Sequence, residues 1–235
     1  MFGFSKRKKQ PETGPVGGFA FFFSFLVVLG VGIFNIGVLA INYNSLSLYL
    51  GIFFIIDYLI GILLASFLIR GHLAVFLHEV RHKILSALVG NKTKAIHVSS
   101  ESGHFEYSYT KETAHMNSLI ALAPYWLPMF TIISIALGGI FLGKDQMITY
   151  KIIVGLAAGI DASLNFRDIS PIQTDINQIR GGYRVGLGYI IAMNLFLYSY
   201  LIAWITGDLK ALGILFGTLS HLFAALAERL REHLR

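Results

Sequence analysis

The chain has 235 residues, 55% hydrophobic and 14% charged, with a mean hydropathy of +0.65, a balance that excludes an ordinary soluble domain and describes an integral membrane protein. With no cysteine it has neither a disulfide framework nor a thiolate metal site, so any transition metal must be held by histidine and carboxylates. The net charge of +6 would suit nucleic acid, but the basic residues lie at the ends of apolar segments, where the cytoplasmic bias of Lys and Arg accounts for them. No nucleic-acid partner is expected.

Lys6-Arg7-Lys8-Lys9 precede an apolar run from Phe19 to Ile41. The run is too long for a signal peptide and no convincing small-residue cleavage site follows it, so residues 17–45 are predicted to be an uncleaved anchor helix behind a basic cytoplasmic N-terminus, residues 1–16. Leu46 to Ile69 comes next, again near the roughly 20 residues that a helix needs to cross the hydrocarbon core. Arg70-Gly71 interrupts the texture before a third run, His72 to Val89. Leu46 to Gly90 is therefore expected to hold one complete crossing and a partial or broken one.

This third run carries His78-Glu79-Val80-Arg81-His82, the pattern His-Glu-x-x-His. On a helix, residues i and i+4 share a face one turn apart, so two imidazoles can reach one metal while the glutamate serves a metal-activated water as general base. With eight His and seven Glu in the chain, a chance match is expected only about once in a hundred such sequences. At 1.5 Å per residue His82 would lie roughly 12 Å from the Gly90-Asn91 end of its helix, inside the membrane and near one face.

Ala95 to Tyr109 alternates apolar and polar residues on either side of Ser102-Gly103 and predicts a β-hairpin. Apolar runs then follow over Leu119 to Leu142, interrupted at Ala123-Pro124-Tyr125-Trp126-Leu127-Pro128, and over Met147 to Leu164, Val185 to Thr206 and Ala211 to Ala227. Placing the Lys92/Lys94/Lys111 loop, the Arg167/Arg180/Arg184 loop and the Arg229, Arg231, Arg235 tail on the cytoplasmic side leaves little beyond Lys144 and Lys210 opposite. That asymmetry favours about six crossings with both termini cytoplasmic. The expected fold class is an all-α polytopic membrane protein with a small β-hairpin after the motif helix.

Two histidines need a third protein ligand if one position is to stay open for water. The longer pattern that would supply a third histidine is absent, since Leu85 and Leu88 stand at its Gly and His positions. Glu101, Glu106 and Glu112 are available, as are Asp161, Asp168 and Asp175 in the stretch from Asp161 to Asn177. A carboxylate near lipid is costly unless paired or ligated. Asp161 reads best as a polar contact within the bundle, Asp168 as a ligand or a partner of Arg167, and Gln173 and Asn177 as satisfied loop polar groups. His72, His97, His104, His115, His221 and His233 show no ligand spacing and read as boundary or surface histidines.

Between residues 70 and 205 the chain resembles the site-2 protease family of zinc intramembrane metalloproteases, in particular its compact bacterial members. The resemblance rests on His78, Glu79 and His82, the hairpin that follows, the broken segment Ala123 to Pro128, and an aspartate after a proline-containing break, Pro171 to Asp175. It implies one Zn2+ per chain held by His78, His82 and Asp175, with Asp168 the runner-up for the third ligand. It also implies a catalytic Glu79, a membrane protein or peptide substrate hydrolysed within or beside the bilayer, and a place in the bacterial cytoplasmic membrane. Residues 46–206 would form the metalloprotease core and 207–235 a last helix and basic tail, all in one membrane domain. Two positions depart from the family pattern: Arg81 stands where Gly is common, and Ile176 where Gly usually follows the ligand aspartate. Arg81 would need a lipid headgroup, water or an acidic partner. A metal-ion transporter and a catalytically inactive, protease-like scaffold are the competing expectations.

Overall fold

The computed structural model describes residues 19–100 and 102–233. The basic N-terminal segment with Lys6 to Lys9, the ligand candidate Glu101 and the terminal Arg235 lie outside the described residues. In chain order the elements are α1 (Phe19–Ile41), α2 (Leu48–Leu68), α3 (His72–Leu88), β1 (Lys92–Val98), β2 (Gly103–Ser108), α4 (Asn117–Ala121), α5 (Met129–Phe141), α6 (Met147–Arg167), α7 (Thr174–Asn177) and α8 (Gly182–His233). The chain is thus mostly helical, with one two-stranded antiparallel sheet. Four helices, α1, α2, α6 and α8, are long and apolar enough to cross a membrane, and a fifth span results if Ala114–Tyr125 and α5 are one broken crossing. Leu59, Leu63 and Phe67 stand exposed along α2, as side chains facing lipid do.

The described chain forms two compact units. One comprises residues 25–66, 128–163 and 191–233. Here α2 and α6 cross at Gly61 and Gly159, where a Cβ on either residue would run into the other helix's backbone, at Leu156 and Tyr58 respectively. Without side chains at the crossing the two backbones can touch, which is how packing holds helices together in lipid. The Asn35 side-chain amide on α1 donates to the Ser199 hydroxyl on α8 at 3.0 Å, linking the two helices.

Helix α8 is not one rod. Asp208 has φ 52° and ψ −152°, and the Tyr200 and Phe216 rings stack with centroids 5.2 Å apart. Sixteen residues of straight helix would separate them by about 24 Å, so the chain folds back at Asp208 into two antiparallel halves. Lys151 of α6 holds the turn, donating to the Ile205 carbonyl at 2.8 Å and pairing with the Asp208 carboxylate. A cation at the end of the first half meets carbonyls that have no helical partner.

Asp161 finds its explanation in the same unit. Pro128 precedes α5 and offers no side-chain cap, so the Asp161 carboxylate takes over, accepting from the Phe130 and Thr131 amides at 3.1 and 2.7 Å and from the Thr131 hydroxyl at 2.8 Å.

Among the described residues the other unit comprises 19–24, 67–100, 102–127 and 164–190. Gly71 opens it with φ 53°, a left-handed conformation that glycine adopts without strain, and so separates α3 from α2. At 17 residues α3 is not among the helices long enough to span. The hairpin lies three residues upstream of its expected start and ends one residue earlier, at Ser108. A register shift between Thr93 and Ala95 places an extra residue, Lys94, in β1 and breaks the alternation there, so Lys92 to Lys94 do not read as strand. Beyond it, Ile96 pairs with Phe105 and His97 with His104. Phe105 is buried, whereas His97 and His104 are exposed.

Candidate metal centre

Helix α3 presents His78 and His82 one turn apart, their rings 5.2 Å between centroids. The loop after α6 folds on itself where the Asn177 side-chain amide donates to the Pro171 carbonyl, and the short α7 carries Asp175 in its first turn. Asp175 Oδ2 lies 3.2 Å from His78 Nε2 and 3.3 Å from His82 Nε2. The three ligand atoms are all within 4.8 Å of one another.

Each ring's second nitrogen is already engaged. His82 Nδ1 is 2.7 Å from the Ile120 carbonyl of α4, and His78 Nδ1 is 3.5 Å from Asp168 Oδ2. Tyr125 meets the His78 ring edge-on at 5.5 Å and its hydroxyl is 3.5 Å from Asp175 Oδ2. Burial by itself would push the Asp175 carboxyl up, but the two imidazoles outweigh it and hold the group well below the usual carboxylate range. An ionised carboxylate and two imidazole nitrogens, anchored from behind, form a donor set suited to a divalent transition metal. His78, His82 and Asp175 could therefore hold a metal ion.

Glu79 is 6% exposed and faces the start of β2. A Cβ on Gly103 would lie 2.7 Å from Glu79 Cγ and from Val75 Cγ1 and would overlap Glu79 Oε1, so the hairpin backbone can approach this carboxylate only because residue 103 is glycine. In the sequence Gly103 reads as part of the turn. The available signal is that a glycine at a strand end often marks close approach of another group.

Arg81 is 1% exposed, and its Nη1 donates to the Pro124 carbonyl at 2.9 Å and to Asn165 Oδ1 at 2.8 Å. It thereby ties α3 to the Ala123–Tyr125 turn and to the end of α6. Removing the guanidinium strands two buried acceptors, so Arg81→Ala is expected to cost about 2–4 kcal/mol and to lower the unfolding temperature in detergent. An unchanged unfolding temperature would show that the latch contributes nothing to stability.

Of the remaining candidates, Asp168 sits on the Nδ1 side of His78, away from the point where the Nε2 atoms converge. Glu106 is exposed on the hairpin beside His104, 3.7 Å away, and Glu112 is exposed in the loop that follows. Neither they nor the other histidines belong to the one convergent cluster found among the described residues. Tyr107, pushed up to about 12 chiefly by burial, keeps its proton and donates to Asn117 Oδ1 at 3.2 Å, securing the sheet to α4. Tyr125 and Asn165 were not singled out by sequence, because neither type in an apolar run signals a role until its partner is placed. Compared with known protein families, curated proteins and solved structures, the chain finds no match.

Proposed function

We propose that this protein is a zinc-dependent endopeptidase that hydrolyses peptide bonds of membrane proteins within or beside the bilayer. The observation that carries this reading is the convergence of two histidines one helical turn apart with an aspartate 97 residues downstream of the first, with Glu79 between the histidines in sequence. Zinc bound to His78, His82 and Asp175 would supply a Lewis acid that activates water and polarises a carbonyl. Glu79 would take the proton of the attacking water and return it to the departing amine. Its near-complete burial keeps bulk water from competing for that carboxylate. Substrate enters as an extended segment, since a helix shields its own peptide bonds, and an edge of the two-stranded sheet would offer main-chain pairing for it.

The reading includes six crossings: α1, α2, the broken segment 114–141, α6 and the two halves of α8, with α3 inserted partway and both termini on the cytoplasmic side of a bacterial cytoplasmic membrane. The native chain has no cysteine, so single cysteines report topology cleanly. Cysteines at Thr93, Ser170 and the C-terminal tail are expected to be labelled from the cytoplasmic side and one at Gly143 from the other. Labelling of Thr93 and Ser170 from opposite sides would refute this topology.

Function is tested by comparing membrane proteomes of cells carrying the wild-type chain and Glu79→Gln. A membrane protein shortened in the first and full-length in the second is expected. Identical proteomes under conditions where both proteins accumulate would count against proteolysis.

A further inference from the structure

We propose that Asp168 is a positioning residue that holds His78 in the tautomer and orientation presenting Nε2 to the metal. This assignment rests on the metal reading above and goes beyond it. The two rings of the centre are anchored in different ways. The Ile120 carbonyl can only accept, so His82 Nδ1 carries a proton, which leaves Nε2 as the nitrogen that could bind a metal. That anchor is backbone, and Ile120 is 1% exposed. His78 has no carbonyl behind it. Its Nδ1 faces the Asp168 carboxylate, whose oxygens can accept the ring proton, at 3.5 Å.

With a metal bound on the Asp175 side, the Nδ1 contacts would keep the ring protons at the back of both imidazoles and leave both Nε2 atoms free to ligate. A carboxylate behind an imidazole also raises its basicity as a ligand. Asp168 cannot at the same time bind an ion on the Nε2 side, because the two ring nitrogens of His78 point away from each other. The side chain is 41% exposed, so this anchor, unlike that of His82, stays open to solvent. Its backbone is steadied by the neighbouring Arg167, which donates to the Ile69 carbonyl at 2.6 Å and ties the end of α6 to the chain just before α3.

Cobalt(II) binding to the full chain in detergent tests the assignment, because visible absorption reports both affinity and ligand geometry without any substrate. Wild type is expected to take up one cobalt per chain. Asp168→Ala is expected to keep that stoichiometry at saturation, to lower affinity about 10–100-fold and to shift the absorption bands. Asp168→Glu, which restores the acceptor, should recover most of the affinity, and that recovery separates positioning from a general folding defect. Wild-type affinity and spectrum in Asp168→Ala would overturn the proposal, as would loss of stoichiometric binding in it, which would make Asp168 a ligand. Failure of Asp168→Glu to recover any affinity would also overturn it. A wild-type chain that binds no cobalt overturns the metal reading itself, and this assignment with it.

Discussion

Purified in detergent, the full chain is expected to carry one zinc ion, and His78→Ala, His82→Ala and Asp175→Ala are each expected to lose it. Zinc in protein sites is held by three or four ligands at fixed geometry, so removing one of three leaves a pair that competes poorly with water. The loss should exceed the roughly 10–100-fold that an outer partner is worth, which places the three variants apart from Asp168→Ala. Metal analysis after gel filtration measures it directly. Stoichiometric zinc retained in Asp175→Ala, with loss in Glu106→Ala or Glu101→Ala, would move the third ligand to the hairpin region. Retention in all three variants would remove the centre altogether.

The second large effect is expected from a residue that touches no metal ligand. Gly103→Val places atoms where Glu79 Oε1 now sits, so either the hairpin lifts or the carboxylate swings away. A displacement of about 1 Å in a reacting group costs on the order of 100-fold in rate. Turnover of a cleaved substrate should fall by at least about that factor, while bound zinc stays at one per chain. Glu79→Gln keeps the side chain's size and removes the base, and should lose roughly 100- to 10,000-fold. Gly143 has open space around it, so Gly143→Ala serves as the control and should be near neutral. Full activity in Gly103→Val would separate the hairpin from Glu79, and full activity in Glu79→Gln would remove the proposed base.

The long apolar elements and the two histidines were legible from the chain because both depend on local chemistry. Phe19 to Ile41 is a predominantly apolar run and is α1 end to end, and the i, i+4 spacing puts His78 and His82 on one face of any helix that contains them. Even the separate runs Val185–Thr206 and Ala211–Ala227 anticipated the reversal within α8, since Gly207-Asp208 interrupts the apolar texture. Asp161, Asp168 and Asp175 are a different case. They are the same side chain within fifteen residues, so spacing alone left them open and only the family resemblance put Asp175 first. One caps α5, one stands behind His78 and one meets both imidazoles, and those partners lie 30 to 97 residues away in the chain.

Arg81 repeats the lesson, as its partners are 43 and 84 residues distant, so composition alone made it a charge in search of a counter-ion. A backbone carbonyl and a side-chain amide can accept from a buried guanidinium, but neither type is visible as a partner until the fold brings it near. The chain by itself thus determined which long segments are helical and, with the family resemblance, which residues could bind a metal, through hydrophobic runs and helical period. Only the tertiary structure showed that Asp175 and not Asp168 meets both histidines and where the Arg81 Nη1 donates, because burial drives polar groups toward partners that long-range packing selects.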